Sequence, residues 1–184
     1  MSLRLVFLLE EPSMKDLLDS WMPRQFPGVN FLCVPHQGKS DLDKSIPRKL
    51  AAWKIPGDCF IIVRDNDGAN CLEVKQRLRS MCSVRPDTLI RLVCQELEGW
   101  YLGDLAALVA AYPASKIDTP KLRKRFFDPD KWQKPSQEVQ RLIPEFQKRQ
   151  AARRMGEHLD RVRNNSVSYR IFVAGIERVL GQVA

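Results

Sequence analysis

Short apolar runs alternate with more polar stretches along the first 112 residues of the chain. Four of these runs have the length of strands, are rich in Val, Ile, Leu and Phe, and are continuous rather than alternating in polarity. Continuous apolar runs are typical of parallel strands that helices cover on both faces. The pattern therefore predicts four strands, at residues 3–9, 28–35, 59–63 and 88–94.

Helix signals separate the predicted strands. Pro12 fits the first position of a helix, and Ser40 with Asp43 three residues later approximates a capping box. Further helices are expected over 71–82 and from about residue 95 onwards. Strands that alternate with helices are typical of the α/β class. We therefore predict a Rossmann-like, mainly parallel four-stranded sheet with helices on both faces.

The alternation stops at residue 112. Residues 112–136 contain four prolines and no clear period, which is typical of a structured loop or cap. Residues 137–163 are expected to be helical with one interruption, and residues 166–182 to form a last amphipathic helix that packs back on the sheet. We divide the chain into an α/β core, 1–112, and a basic helical extension, 113–184, within one compact unit.

The net charge of +8 comes entirely from the extension, because acids and bases balance over residues 1–112. A basic segment beside a neutral core indicates an anionic partner such as nucleic acid, although solvated helix faces are the competing interpretation. The segment KLRKRFF, residues 121–127, is the first candidate for contact with a nucleic-acid backbone, and KRQAARR, residues 148–154, is the second. The predicted contact residues in the first segment are Lys121, Arg123, Lys124 and Arg125.

Composition excludes several classes of protein. No apolar run approaches the ~20 residues of a membrane span, and the N-terminus lacks the pattern of a signal peptide, so we expect a cytosolic protein. The five cysteines include no CxxC pair, and apolar neighbours favour a role as small core residues over a disulfide framework.

Carboxylates follow three of the four predicted strands. Ligands of open parallel sheets bind beyond the carboxyl ends of the strands, so these side chains should meet at one edge. Such acids repel one another unless a cation or protons neutralise them, and their oxygen atoms suit Mg²⁺ or Mn²⁺. The alternative for Asp65 and Asp67, which precede Gly68, is a turn with a helix N-cap. The candidate metal ligands are Glu10, Asp65, Asp67, Glu96 and Glu98.

Two of these segments resemble the motifs of TOPRIM domains, which occur in topoisomerases, DnaG-type primases and OLD-family nucleases. FLLEEPSMKDLL is similar to the first motif, with its Glu at Glu10, although Glu11 stands where that motif has Gly. IIVRDNDGAN is similar to the second motif, with its DxD at Asp65 and Asp67. The chain is identified as a member of a TOPRIM-like bacterial family of unknown function, through EEPSM, PHQGKSDLDKSIPRKL, RDNDG, CQELEGWYLGD and SVSYRIF.

The resemblance implies a divalent-metal-dependent nuclease. In TOPRIM enzymes the first Glu and the DxD acids bind one or two Mg²⁺ ions at a phosphodiester, which makes Glu10, Asp65 and Asp67 the implied catalytic core. Glu96 and Glu98 are expected to complete a second metal position or to hold a ligand water. No tyrosine stands in an obvious nucleophile position, so hydrolysis is favoured over strand passage.

Four further side chains near the predicted sheet edge are candidates for catalysis or for contact with phosphate. His36 is expected to act as a general base or to contact phosphate, with a structural role as the competing interpretation. Lys39 and Arg64, together with Lys15, are expected to balance phosphate charge.

The neighbouring aromatic residues Trp100 and Tyr101 have two interpretations. They either stack on a nucleic-acid base or continue the apolar face of a helix with Leu102, Leu105 and Leu108. Core packing is the stronger of the two.

Two other functions stay open at this point. The resemblance implies an ABC-type ATPase as a partner, in a mobile-element or phage-defence gene pair. The chain is then either a nuclease that works with that ATPase or a non-catalytic docking subunit whose basic extension meets an acidic protein surface. An aspartate-based phosphatase is a lesser alternative, because a DxD after a strand also occurs in that class.

Overall fold

The structure, a computed structural model, describes residues 3–115, 117 and 119–181. Its four strands are β1 (Arg4–Leu9), β2 (Asn30–Pro35), β3 (Asp58–Asp65) and β4 (Leu89–Val93). All neighbours pair in parallel, in the order β2-β1-β3-β4. Helices flank this sheet, so the expected α/β class with a parallel four-stranded sheet is confirmed.

The helices follow the predicted alternation and continue through the extension. The expected end of the last helix, residue 182, lies outside the described residues. The helices are α1 (Pro12–Gln25), α2 (Lys39–Ala52), α3 (Cys71–Met81), α4 (Glu98–Gly103), α5 (Leu105–Ala111), α6 (Thr119–Arg125), α7 (Pro135–Leu142), α8 (Lys148–His158) and α9 (Val167–Gly181), with a 3-10 turn at Pro129–Lys131.

Three local expectations were wrong. β3 continues through Asp65, because Asp65 still pairs in register with Val93 of β4. Gly38 is the N-cap of α2 in place of Ser40, and its φ of 99° suits a residue without a Cβ atom. The stretch 112–136, expected to be a loop or cap, contains α6 and the 3-10 turn.

The order of the strands decides which helices lie on which face. The chain passes from β1 to β2 on one side, then returns past β1 to β3 and β4. Right-handed crossovers therefore place α1 on one face and α2 with α3 on the other. Side chains separate accordingly: Leu5, Phe7 and Leu9 pack on the α1 side, and Val6 and Leu8 pack on the α2 side.

Helices from the extension complete the α1 face. α9 lies against β4, and α8 lies against α1. Phe172 of α9 packs against the rings of Phe7, Trp21 and Trp100, so both parts of the chain share one core. Trp100 and Tyr101 are buried in it, which confirms core packing and leaves neither ring accessible to a base.

The described part of the chain contains no helix that is long and apolar enough to cross a membrane. All five cysteines are free thiols, and Cys33 and Cys82 are buried among apolar side chains.

The close contact of α8 with α1 depends on Gly156. A Cβ atom at this position would lie 2.5 Å from the carbonyl oxygen of Leu17 and 2.8 Å from Cβ of Ser20. We expect Gly156→Ala to lower the free energy of unfolding by about 2 kcal/mol, because the backbone of α1 has to move. Urea unfolding measures this effect. Gly181→Ala is the matched control, since nothing lies within 4 Å of that position, and equal losses in both variants would contradict the prediction.

Candidate metal centre at the carboxyl end of the sheet

The carboxyl ends of β1 and β3 are neighbours at the point where the connections diverge. The chain leaves β1 towards β2 and leaves β3 towards β4, in opposite directions, which opens a crevice between the two strand ends. Glu10 directly follows β1, and Asp65 is the last residue of β3. The topology thus brings together the two acids that were expected to share an edge.

Glu10 is buried and is held by the end of β3. One of its carboxylate oxygens accepts a hydrogen bond of 3.0 Å from the backbone N–H of Asp65, and Nε of Arg64 lies 4.0 Å from the same oxygen. Burial, followed by the charge of Asp67, raises the pKa of Glu10 to about 7. The nearby Arg64 and Lys39 only partly oppose this rise, so an added cation would favour the ionised form.

Asp65 lies on the opposite face of the sheet from Glu10. Alternation along β3 places it on the α1 side with Ile61 and Val63, whereas Arg64 shares the α2 side with Glu10. Oδ1 of Asp65 is buried and has no hydrogen-bond partner among the described residues. Burial, followed by the charge of Glu10, raises the pKa of Asp65 well above its usual range. The folded chain therefore keeps an uncompensated acid in its interior.

The loop after β3 orients Asp67 through Asn66. Oδ1 of Asn66 accepts a hydrogen bond from the N–H of Gln95, and its Nδ2 donates to the carbonyl of Ala69, which ties the loop to the end of β4. Asp67 has a left-handed φ of 47° and forms an ion pair with Lys39. Lys39 therefore reaches the site, where it neutralises the most exposed acid of the DxD.

Glu98 is the second uncompensated acid on the α1 side. It is fully buried, and neither of its carboxylate oxygens has a hydrogen-bond partner in the described part of the chain. Burial raises the pKa of Glu98 to about 7, and the charge of Lys148 partly opposes this rise. Asp65 is close enough for the charge of Glu98 to raise its pKa. We refer to Asp65 and Glu98, together with Glu10 at the end of β1, as the carboxylate cluster.

The sequence analysis did not place Lys148 and Glu11 beside these acids. Nζ of Lys148 donates a hydrogen bond of 2.7 Å to Glu11, across 137 residues of sequence. The charges of both residues act on Asp65 and Glu98. No local pattern links such distant positions, and the one available signal was an acid at the position where TOPRIM motifs have Gly.

The basic run 148–154 is largely used for contacts within the chain. Besides the pairing of Lys148, Arg149 and Arg153 both pair with Asp16 of α1, at 2.6 and 3.2 Å. These pairs attach α8 to α1. The second candidate segment for nucleic-acid contact therefore offers less unpaired charge than its sequence suggests.

Glu96 is engaged by the start of α7. One carboxylate oxygen accepts a hydrogen bond of 2.9 Å from the N–H of Ser136, and the other lies 3.7 Å from Nζ of Lys134. Both contacts are typical of a side chain that caps a helix. The carboxylate of Glu96 therefore holds the start of α7 and is not directed at the acids of β1 and β3.

His36 is buried with both ring nitrogens in use. Nδ1 lies 2.9 Å from the carbonyl oxygen of Leu9, which can only accept, so Nδ1 carries the proton. Nε2 then accepts a hydrogen bond from the hydroxyl of Ser45 at 2.8 Å. This arrangement supports the structural interpretation of His36, because no nitrogen is left to take a proton from water.

Arg64 is also buried, and its guanidinium is committed to the helices on the α2 side. Nη1 donates to Asp43 at 2.8 Å, and Arg77 approaches the same carboxylate at 3.1 Å. The predicted contact of Arg64 with phosphate therefore requires this network to open.

The four cations of α6 are exposed. α6 packs mainly against α5, through Leu122 and Phe126, which are buried. The predicted nucleic-acid residues thus form a surface of their own. They are Lys121, Arg123, Lys124 and Arg125.

The acids fit a divalent cation in their chemistry, but the described part of the chain does not arrange them as a ligand set. Among the described residues, no group of three or more His, Cys, Asp or Glu side chains is arranged to hold a metal ion. Asp67 is paired with Lys39, and Glu10 and Asp65 project to opposite sides of the sheet. The unpartnered oxygens of Asp65 and Glu98 are nevertheless the hard donors that Mg²⁺ and Mn²⁺ prefer. A shared ligand set would need Asp67 to leave Lys39, and it would need the carboxylates of Glu10 and Asp65 to turn towards each other beyond the end of the sheet.

Fold and site together define an α/β protein with a cluster of buried carboxylates at the switch point of a parallel sheet. The chain belongs to the family described as Domain of unknown function (DUF4276), whose model matches residues 9–177. It matches none of the curated proteins.

The fold is similar to that of the C-terminal region of the OLD protein of Xanthomonas campestris pv. campestris. The structure phased with platinum has a TM-score of 0.52 and 15% identity, over 98% of this chain and 95% of that chain. The structure phased with mercury has a TM-score of 0.53 and 14% identity, over 97% of this chain and 96% of that chain. Identity this low establishes a shared fold and nothing further.

Proposed function

We propose that this protein is a divalent-metal-dependent nuclease of TOPRIM type, which hydrolyses phosphodiester bonds in DNA or RNA. The observation that carries the proposal is Asp65, a buried carboxylate at the switch point with an unpartnered oxygen. Beside it, Glu10 and Glu98 have pKa values raised to about 7. Buried carboxylates without partners destabilise the fold, and groups with such raised pKa values are concentrated at functional sites.

Each acid has a defined part in this proposal. Glu10, Asp65 and Asp67 would hold Mg²⁺ or Mn²⁺, and Glu98 would accept a hydrogen bond from a water at the site. A bound divalent ion lowers the pKa of a coordinated water and stabilises charge on the phosphate. Asp67 has to leave Lys39 to serve as a ligand, and the ammonium group of Lys39 is then available to pair with a phosphate oxygen. The OLD-like fold and the motif resemblance support the same assignment.

Hydrolysis suits this chain better than strand passage. Topoisomerases of this type break DNA through a tyrosine that reaches the phosphodiester. The chain has three tyrosines, Tyr101, Tyr112 and Tyr169, and all are buried. Water is therefore the nucleophile we propose.

A non-catalytic role as the docking subunit of an ABC-type ATPase is the second candidate. One observation favours it: lysines pair with two of the acids at this end of the sheet, Lys39 with Asp67 and Lys148 with Glu11, so part of the negative charge is neutralised without metal. The similar structures are also one region of a larger OLD protein, which agrees with a domain that works beside another. The aspartate-based phosphatase has no comparable support.

A cleavage assay tests the nuclease proposal directly. Plasmid, linear duplex DNA, single-stranded DNA and RNA are incubated with the purified protein and Mn²⁺ or Mg²⁺, and with EDTA as a blank. We expect metal-dependent cleavage that Glu10→Gln removes, because the amide still accepts the hydrogen bond from Asp65 but carries no charge. Glu177→Gln, at an exposed acid of α9, is the control that should cut normally. Absence of cleavage of all four substrates contradicts the proposal and favours the docking role.

A further inference from the structure

The C-terminal end of α6 exposes an aromatic ring beside a row of cations. Phe126 is buried and packs edge-on against Trp132 with ring centroids 5.1 Å apart. The next residue, Phe127, is 79% exposed. The ring of Phe127 is therefore free to contact a partner, and the neighbouring cations favour an anionic partner with flat apolar groups.

The cations beside Phe127 are only partly neutralised. Arg125 pairs with Glu138 at 2.5 Å, and its guanidinium lies over the rings of Phe126 and Trp132. Arg123 and Lys124 make no ion pair with the residues that the structure describes. Two concave regions adjoin them, a cleft of about 290 Å³ lined by Arg123 and a shallow groove lined by Lys124.

We propose that the α6 surface, defined as Lys121, Arg123, Lys124, Arg125 and Phe127, binds single-stranded nucleic acid, with Phe127 stacked on a base. Arg123 and Lys124 face the flanking phosphates, and Arg125 is held rigid by its aromatic contacts. This inference rests on the proposed function for its purpose, since the bound strand is the one that the carboxylate cluster cuts.

A single strand fits this surface better than a duplex does. An exposed ring can stack only on a base whose face is free, and duplex bases are stacked on one another. A repeating phosphate backbone with free bases matches both features of the surface, whereas an acidic protein matches only its charge.

Binding is measured in EDTA, so that the result does not depend on cleavage. The probes are fluorescein-labelled dT20 and rU20, with a duplex of equal length for comparison, and fluorescence anisotropy reports affinity at several salt concentrations. We expect tighter binding of a single strand than of the duplex. Phe127→Ala should weaken it about tenfold, and Phe127→Trp should retain it. The double variant Arg123→Ala, Lys124→Ala should reduce the slope of log affinity against log salt by about 1.4.

Val162→Ala is the matched control, because Val162 is 82% exposed and apolar but lies outside the α6 surface. Its affinity should equal that of the wild type, and thermal unfolding should show that all variants are folded. Equal affinity for duplex and single strand, or unchanged affinity in Phe127→Ala, overturns the inference. Binding of polyglutamate as tightly as dT20 overturns it in favour of an acidic protein partner.

The two proposals fail in different ways. If the wild-type protein binds dT20 through Phe127 but cuts no substrate with Mn²⁺, the inference about the α6 surface stands and the nuclease proposal fails. If the wild-type protein cuts with Mn²⁺ but Phe127→Ala binds dT20 as tightly as the wild type, the nuclease proposal stands and the inference about the α6 surface fails.

Discussion

Asp65→Asn is expected to abolish divalent-dependent cleavage and to make the metal-free protein more stable. The substitution removes a metal ligand, and loss of the charge stabilisation that the ion supplies corresponds to several kcal/mol, or about 1000-fold in rate. It also removes a buried carboxyl group whose Oδ1 has no hydrogen-bond partner among the described residues. We therefore expect the free energy of unfolding at pH 8 to rise by about 1–2 kcal/mol. Cleavage rates and urea unfolding without metal measure the two effects.

The opposite signs of these effects distinguish a functional acid from a structural one. Asp19→Asn is the matched control, because Asp19 is exposed and forms a surface ion pair with Lys15, so neither rate nor stability should change appreciably. If Asp65 had only a structural role, Asp65→Asn would lower the free energy of unfolding, because the substitution would break a stabilising contact. Full cleavage activity in Asp65→Asn would contradict its assignment as a ligand.

Metal-free protein is expected to lose stability as the pH rises from about 5 to about 8. The pKa values of Glu10 and Glu98 are raised in the folded state to about 7, so the folded chain binds more protons than the unfolded chain over this window. Their contribution is present at low pH and is lost as the pH passes the folded-state pKa. For the buried Glu98, a rise from 4.5 to about 7 corresponds to about 3 kcal/mol.

Acids whose pKa is lowered in the folded state affect stability only below this pH window. Hydrogen bonds from arginines lower the pKa values of Asp16 and Asp58, although burial is the largest single effect on Asp16 and opposes that shift. Their contribution to stability is lost as the pH falls through the acidic range, so it does not mask a trend between pH 5 and 8.

Mn²⁺ should reverse the loss at high pH. The ion competes with protons for the same carboxylates, so it should raise the melting temperature more at pH 8 than at pH 5.5. Differential scanning fluorimetry with Mn²⁺ or EDTA measures this effect. Glu98→Gln is the control for the pH trend, which should become flatter in that variant. A melting temperature that Mn²⁺ leaves unchanged at both pH values would contradict the predicted cation site.

The strand-end acids could be predicted because the rule behind them is geometric. Parallel strands deliver their carboxyl ends to one edge, so Glu10 and Asp65 had to be close wherever β1 and β3 are neighbours. The side of the sheet on which each acid lies depends on the register between strands. That register places Glu10 on the same side as Arg64 and leaves Asp65 on the other side, and no spacing along the chain reveals it.

The competing interpretations of single residues were decided by contacts between distant segments. His36 is fixed by Leu9 and Ser45, and Glu96 is fixed by the start of α7. Each of these residue types is equally compatible with a catalytic site and with a structural contact. Only the positions of their neighbours show that their polar atoms are occupied.

The sequence by itself determined the class of this protein, the order of its elements and the chemistry available at the end of its sheet. These features follow from local periodicity and from residue types at strand ends, which depend on short-range physics. Tertiary structure decided which acids are left without partners, and it brought Lys148 to Glu11 across 137 residues. It also buried Phe126 and left Phe127 exposed, although both residues belong to one basic segment. Burial and pairing are properties of the packed chain, because they depend on which distant surfaces meet.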